Sequence, residues 1–156
     1  MEQSSKTLTF VVPAYNMETY LERCVESLLS ATDNSDIEVL IVDDGSSDGT
    51  PELADMYERR WPGNVRAIHQ VNKGHGGAVN TGIANATGMY VKVVDADDWV
   101  DMPSIDTLMG TLRVQRVATD PVDMIVTNYV YDKVGKRVKH TVNFRHAMAA
   151  NTMLGW

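Results

Sequence analysis

Apolar stretches alternate with amphipathic stretches from the start of the chain to about residue 117. Four of them have the continuous or alternating apolar pattern of buried β-strands, namely residues 7–12, 37–42, 65–71 and 89–94. Stretches with apolar residues at helical spacing or with helix-start signals follow each of them, at residues 18–31, 50–60, 78–86 and 103–117. Strands that alternate with helices in this way predict an α/β protein with a mainly parallel sheet.

Two further strands are predicted after the last of these helices. Residues 122–131 and 137–144 are rich in β-branched and aromatic side chains, and Val134-Gly135-Lys136 between them is typical of a hairpin turn. Residues 145–156 are predicted to start another helix. We therefore expect a three-layer α/β/α fold whose mainly parallel central sheet ends in a mixed or antiparallel portion.

The composition and charge exclude several classes of protein. The 156 residues are 44% hydrophobic and 22% charged, which is ordinary for a single globular domain with its own core. The formal net charge of −7 argues against a nucleic-acid partner bound through phosphate neutralisation, and against docking on an anionic lipid surface. No apolar stretch approaches the ~18 residues of a membrane span, so no transmembrane segment is predicted.

The single cysteine, Cys24, is expected to be structural. It lies on the apolar stripe of the first predicted helix, where a cysteine behaves as a small hydrophobic residue. A lone cysteine also forms no internal disulfide, which favours a reducing compartment such as the cytoplasm.

A cluster of polar residues follows each of the first four predicted strands. Because the carboxyl ends of parallel strands meet at one edge of the sheet, where ligands bind, four polar loops there indicate one site. The clusters are Pro13-Ala14-Tyr15-Asn16, the loop Asp43 to Gly49, the loop Asn72 to Gly77, and Asp95-Ala96-Asp97-Asp98.

The last cluster is a candidate cation site. Asp95, Asp97 and Asp98 place three carboxylates close together, and a bound cation would relieve their repulsion. Carboxylate oxygens suit Mg²⁺ or Mn²⁺, which proteins usually hold with one or two carboxylates plus substrate phosphates. The alternative is a solvated acidic turn in which Asp98 caps a helix.

The adjacent acids Asp43 and Asp44 are a candidate site for a base N–H or a ribose hydroxyl, because two neighbouring carboxylates at a strand end repel each other. The remainder of their loop needs no ligand, since Asp, Gly and Ser form turns and Asp48 or Thr50 can cap the next helix.

The glycine-rich segment Gly74–Gly77 resembles a phosphate-binding loop only weakly, and a flexible turn is the alternative. Lys73 and His75 are its candidate donors. Tyr15 either stacks on a nucleobase or packs against the protein. The remaining histidines lack Cys or His partners at ligand spacing and are interpreted as structural or surface residues: His69, His140 and His146.

Four segments together resemble family 2 glycosyltransferases of the glycosyltransferase-A fold, in order and with the correct spacing. They are Val11-Val-Pro-Ala-Tyr-Asn16, Asp43-Asp-Gly-Ser-Ser-Asp-Gly-Thr50, the run from Asn72 through Asn80-Thr-Gly-Ile83 to Ala86-Thr-Gly-Met-Tyr90, and Val94-Asp-Ala-Asp-Asp98. The resemblance implies a nucleotide-diphospho-sugar transferase that is metal-assisted and inverting. An acceptor hydroxyl would displace the nucleotide diphosphate in one step.

The resemblance also implies roles for individual residues. Asp44 would bind the base, Asp97 would contact the ribose or the metal, and Asp98 would be the closest ligand of Mn²⁺ or Mg²⁺. The implied donor-binding residues are Pro13, Ala14, Tyr15, Asp43, Asp44, Lys73, His75, Gly76, Asp95 and Asp97, and the implied metal ligands are Asp97 and Asp98. A UDP-sugar is the favoured donor and a carbohydrate or lipid-linked molecule the acceptor. Cell-surface polysaccharide synthesis in the cytoplasm, at the inner face of the membrane, would be the setting.

Two departures from the family pattern limit this interpretation. Val79 stands where the family commonly has Arg, so a positive contact to the donor is either missing or supplied by Lys73 or His75. No residue is convincing as the general base. The candidates Asp120, Asp123 and Asp132 come too early in the chain or lie in predicted strands and turns. We therefore expect residues 1–156 to form one donor-binding domain that is truncated on its acceptor side, with the base beyond Trp156.

Three other classes of protein are alternatives to a transferase. A non-catalytic nucleotide-sugar-binding module would bind the donor without releasing nucleotide. A response-regulator-like domain would need its acidic pair after the first strand, where this chain has Pro13-Ala14-Tyr15. A sugar nucleotidyltransferase would need a loop rich in Gly and Arg at the same place, and none is present.

Overall fold

The computed structural model describes residues 6–132 and 139–144, and the chain divides into two compact units after Val117. The strands are β1 (Leu8–Ala14), β2 (Ile37–Asp43), β3 (Val65–His69), β4 (Tyr90–Val93), β5 (Tyr129–Tyr131) and β6 (His140–Val142). The helices are α1 (Glu18–Leu28), α2 (Thr50–Arg60), α3 (Gly74–Asn85) and α4 (Met102–Arg116).

The first unit is built on a four-stranded parallel sheet in the order β3-β2-β1-β4. In β1, every residue from Leu8 to Ala14 is buried, and the same holds for the whole of β2. Such continuous burial is typical of central parallel strands with helices on both faces. The predicted α/β fold with a mainly parallel sheet is therefore confirmed.

Helices cover both faces of this sheet. Helix α1 buries its stripe of Leu21, Cys24, Val25 and Leu28, and it packs beside α2. Helix α3 packs on β1 and β2. Its residue Ala78 joins a small cluster that is completed by Val11 and Val42 of the strands and Ile68 of β3.

Neither of the two residues predicted to cap α2 is its N-cap, which is Gly49. The Thr50 N–H donates to Asp48 Oδ1 at 3.0 Å, so the side chain of Asp48 satisfies a free backbone donor of the first turn. Thr50 lies inside the helix, and its Oγ1 accepts a bond from the Met17 N–H at 2.8 Å instead. Asp48 therefore bonds the first helical N–H from outside the helix, and the N-cap residue Gly49 has no side chain to cap it.

Several boundaries differ from the predicted ones. Helix α3 begins at Gly74 rather than near residue 78, so the glycine-rich segment forms its first turn rather than a separate loop. The strand predicted over residues 122–131 is limited to β5. Strands β5 and β6 form a separate two-stranded antiparallel sheet in the second unit. The predicted turn at Val134-Gly135-Lys136 and the predicted helix over 145–156 lie outside the described residues.

Across the described part of the chain, no helix combines the length and the apolar character that crossing a membrane would require.

Candidate functional site

The predicted polar clusters follow the carboxyl ends of the parallel strands. Pro13 and Ala14 are the last residues of β1 and are buried, and the neighbouring Tyr15 is 49% exposed. Asp43 ends β2, and Asp44 follows it with its N–H bonded to the Ala14 carbonyl at 2.9 Å. The ends of β1 and β2 are thereby joined beyond the last ladder pair, which fixes the position of both acids.

Asp44 is a buried, ionised carboxylate that is held by polar donors. Its Oδ1 accepts bonds from Gln70 Nε2 at 2.6 Å and from the Lys73 N–H at 2.8 Å. Burial alone would raise the pKa of Asp44, but the hydrogen bonds from Gln70 and from the backbone of Lys73 and Gly74 hold it below the usual value. Thr81 Oγ1 donates to Gln70 Oε1 at 2.6 Å, which fixes the orientation of the Gln70 amide.

Asp43 is also buried, and its partners lie in a different direction. Its Oδ1 accepts a bond from the Ser46 N–H at 3.0 Å, and its Oδ2 lies 3.0 Å from His69 Nδ1. The other ring nitrogen, His69 Nε2, lies 3.0 Å from Asp55 Oδ1 on α2. The two adjacent acids are thus separated, because each has its own set of protein donors.

The loops after β1 and β2 are joined by reciprocal hydrogen bonds. Asn16, with a positive φ of 54°, accepts a bond from the Ser47 N–H at 2.9 Å through its side chain. The Glu18 N–H donates to Asp48 Oδ2 at 3.1 Å, and Glu18 Oε2 in return accepts from the Gly49 N–H at 3.0 Å. Backbone donors of each loop are therefore satisfied by side chains of the other.

The first turn of α3 lies beside the acidic segment. His75 Nε2 is 2.9 Å from Asp95 Oδ1, and both side chains are more than half exposed. Gly74 has φ 75°, a conformation that glycine adopts without strain. A Cβ added to Gly76 would meet nothing within 4 Å, so the space beside this residue is open. Backbone N–H groups at a helix N-terminus are suited to bind an anion.

Helix α1 holds the segment that carries the acidic residues. The Val100 N–H donates to Ser27 Oγ at 3.1 Å, and the guanidinium of Arg23 stacks on Trp99 at 3.3 Å from the ring centroid. Cys24 Sγ lies 3.7 Å from the Asp95 carbonyl oxygen. Burial and the nearby acidic cluster raise the pKa of Cys24 to about 12, as expected of a structural thiol rather than a reactive one.

Asp97 and Asp98 are exposed and close enough to influence each other. Burial, followed by the charges of Asp97 and Asp95, raises the pKa of Asp98. Among residues 6–132 and 139–144, no three His, Cys, Asp or Glu side chains are grouped so as to hold a metal ion by themselves. The donor set fits Mg²⁺ or Mn²⁺ in the common arrangement of one or two carboxylates completed by substrate oxygens.

Two residues of this edge, His69 and Gln70, were not predicted from the sequence to belong to the site. Gln70 holds the Asp44 carboxylate, and the ring of His69, for which the sequence shows no Cys or His partner, lies against Asp43 and Asp55. Its partners are carboxylates. The signal available in the sequence is position, since His69 is the last residue of β3 and Gln70 directly follows it.

Comparison with known proteins shows which family has this sequence pattern. The model of the family described as "Glycosyl transferase family 2" matches residues 9–153. Glycosyltransferase GlyG of Streptococcus pneumoniae is 40% identical over 131 residues, covering 83% of this chain and 41% of that protein. A chondroitin synthase of Escherichia coli is 38% identical over 106 residues, covering 68% of this chain and 15% of that protein. The chain spans less than half the length of these relatives.

Solved structures share the fold at lower identity. Staphylococcus aureus TarS residues 1–349, in complex with UDP-GlcNAc, superposes with a TM-score of 0.63 at 26% identity, over 70% of this chain and 32% of that one. The mannosyltransferase PcManGT of Pyrobaculum calidifontis, in complex with GDP-Man and Mn²⁺, superposes with a TM-score of 0.60 at 28% identity, over 73% and 32% of the two chains.

Proposed function

Because the chain belongs to glycosyl transferase family 2, we propose that it forms the donor-binding part of an enzyme that transfers a sugar from a nucleotide-diphosphate-sugar to an acceptor hydroxyl. The observation that carries the proposal is the sheet edge itself. There a buried, ionised Asp44 lies next to the strand end that leads into Tyr15, while Asp95, Asp97 and Asp98 follow β4 of the same sheet.

The nucleoside would bind at the ends of β1 and β2. Tyr15 is exposed and able to stack on a base, next to the buried Pro13 and Ala14. Asp44 is ionised and fixed by Gln70, so its carboxylate can accept a hydrogen bond from a base N–H without first having to be ordered.

The diphosphate would lie between the first turn of α3 and the acidic segment. Backbone N–H groups around Gly76 and the ring of His75 would supply hydrogen-bond donors on one side, and Lys73 would add a positive charge. Asp97 and Asp98 would hold Mn²⁺ or Mg²⁺ on the other side, and Asp95 keeps His75 beside them. When bound, the divalent cation stabilises the negative charge that develops on the departing diphosphate.

We propose further that the reaction is inverting and that residues 1–156 form a single donor-binding domain. The acceptor site and the general base would then lie beyond Trp156, which agrees with the greater length of the relatives. The chondroitin synthase among them supports a role in polysaccharide synthesis, here placed at the cytoplasmic face of the membrane. A carbohydrate or lipid-linked molecule would be the acceptor.

Calorimetric titration with UDP, with and without Mn²⁺, tests the donor site. We expect Mn²⁺ to strengthen UDP binding and the double variant Asp97→Ala/Asp98→Ala to lose that increment, at least about tenfold in affinity. The matched control is Asp120→Ala/Asp123→Ala, which removes the same charge from exposed positions in the second unit and should bind as the wild type does. GDP is titrated in parallel, because the two similar structures hold different nucleotides.

Binding of neither nucleotide under any condition would contradict the proposal. Release of free UDP from a UDP-sugar is measured on the same samples. A chain that binds UDP and releases none would act as a binding module, so this second measurement separates transfer chemistry from binding alone.

A further inference from the structure

We infer that His69 is a positioning residue of the nucleotide site: its ring holds the carboxylate of Asp43 in place and ties it to Asp55 of α2. The inference rests on the proposed function, because it concerns how the donor-binding edge is held. It adds a residue outside the polar clusters, and it adds a dependence of nucleotide binding on pH.

The geometry of the ring requires both of its nitrogens to donate. His69 Nδ1 lies 3.0 Å from Asp43 Oδ2, and Nε2 lies 3.0 Å from Asp55 Oδ1. An ionised carboxylate only accepts hydrogen bonds, whereas a neutral imidazole has one donor and one acceptor nitrogen. Both contacts are therefore satisfied together only when the ring is the doubly protonated imidazolium.

The charged groups around the ring favour that form. The ring of His69 contacts Asp43 of β2 and Asp55 of α2. One turn further along α2, Glu58 Oε1 accepts a bond from the N–H of Ala67, which lies on the same strand as His69, at 3.4 Å. All three are acidic. The hydrogen bond with Asp43 is the main cause that raises the pKa of His69, burial opposes it, and Asp55 adds to it.

Deprotonation of His69 would disturb the proposed nucleotide site through contacts that lead from Asp43 to Gln70 and Asp44. A neutral ring turns a lone pair toward one of the two carboxylates, so either Asp43 or Asp55 loses its partner. Asp43 is also joined to Gln70, the residue that follows β3, because the Asp43 backbone carbonyl accepts a bond from the Gln70 N–H at 3.0 Å. Gln70 in turn holds Asp44. A shift of Asp43 is thereby passed to the carboxylate that is proposed to bind the base.

The test compares three variants of the full chain with the wild type. His69→Gln keeps one donor nitrogen, which cannot reach both carboxylates. Asp55→Asn removes one charged partner of the ring, and Glu52→Gln is the matched control, because it removes the same charge from an exposed position on the same helix. UDP affinity in the presence of Mg²⁺ is measured between pH 5.5 and 8.5, and the His69 imidazole C–H resonance is titrated by NMR without nucleotide.

We expect UDP affinity of the wild type to fall about three- to fivefold as pH rises through the His69 pKa, which is the size of effect seen for partly exposed ion pairs. His69→Gln should bind at the weaker level and lack this transition, so that only the titration of UDP itself remains. Asp55→Asn should shift the transition and the imidazole pKa to lower pH. Glu52→Gln should behave as the wild type.

The two measurements distinguish the two proposals. If UDP binds and His69→Gln binds it with unchanged affinity and pH dependence, the positioning role is wrong while the donor site stands. The positioning role is also wrong if Asp55→Asn leaves the imidazole pKa of His69 unchanged, whether or not the chain binds nucleotide. If neither the wild type nor any variant binds UDP or GDP, the proposed function fails, and the positioning role fails with it.

Discussion

At the scale of single residues, the carboxylate of Asp44 has the strictest requirements at the sheet edge, because it is buried and yet ionised. Its donors are the side chain of Gln70 and the backbone of Lys73, both at or below 2.8 Å. Such a group stabilises the fold only while it stays charged.

We expect Asp44→Asn to lower the free energy of unfolding by about 1–3 kcal/mol at pH 7, because the bonds from Gln70 and Lys73 to Oδ1 lose the charge of the carboxylate that strengthens them. The pKa of Asp44 is lowered in the folded state, so its contribution is present above the unfolded value of about 3.9 and is lost as pH falls through the folded value. Denaturant unfolding from pH 7 down to pH 3 measures this. A difference between wild type and variant that stays constant down to pH 3 would contradict the assignment.

At the scale of secondary structure, the glycines of two helices have opposite surroundings. A Cβ added to Gly82 of α3 would lie 2.2 Å from Val11 Cγ1, so this helix approaches the sheet closely because the side chain is absent. A Cβ added to Gly110 of α4 would meet nothing within 4 Å.

The two alanine substitutions should therefore change stability in opposite directions. Gly82→Ala is expected to lower the free energy of unfolding by about 1–3 kcal/mol through overpacking. Gly110→Ala is expected to raise it by about 0.5–1 kcal/mol, because alanine loses less backbone entropy in a helix. Denaturant unfolding of both variants measures the pair, and a stabilising Gly82→Ala would show that α3 can move away from Val11 at no cost.

The elements that could be predicted are those whose signal is local. Buried runs such as residues 37–42 and the stripe of α1 follow from periodicity alone. The early start of α3 does not, because glycine is a weak helix former, and its use there depends on an open N-terminus and on the φ of 75° at Gly74. Residues 122–128 are apolar enough for a strand but have no partner strand among the described residues, and pairing is not visible in one sequence.

The site could be predicted down to its loops but not down to its hydrogen bonds. That Asp43, Asp44 and Asp95 share one edge follows from parallel topology. That Asp43 and Asp44 have separate partners depends on His69 and Gln70, which lie 26 residues further along the chain. The contact between His75 and Asp95 likewise joins two strand ends at opposite sides of the sheet order.

At the scale of the whole molecule, a net charge of −7 makes the binding of an anionic nucleotide depend on local positive groups and on a cation. A ligand that binds only the folded chain stabilises it by about 2.7 kcal/mol at one hundred times its dissociation constant. UDP together with Mn²⁺ should therefore raise the melting temperature of the chain, while Mn²⁺ alone should change it little, because two carboxylates are an incomplete set of ligands.

Differential scanning calorimetry with UDP, with Mn²⁺, and with both measures this dependence. The double variant Asp97→Ala/Asp98→Ala provides the control, since it should show only the shift that UDP gives without metal. Equal stabilisation by Mn²⁺ with and without UDP would mean that the cation binds elsewhere on this acidic chain.

Because of the reciprocal bonds between the loops after β1 and β2, these loops lose their conformational entropy when the chain folds and not when a nucleotide binds. Asn16, Glu18 and Asp48 satisfy backbone donors of the opposite loop, so both loops are fixed as the chain folds. A nucleoside that arrives at this edge meets a rigid surface and loses little of its binding free energy to loop ordering. The bonds that stabilise the two loops in the folded chain thus also contribute to the affinity of the nucleotide site. A substitution that loosens either loop would weaken nucleotide binding without touching the reacting groups.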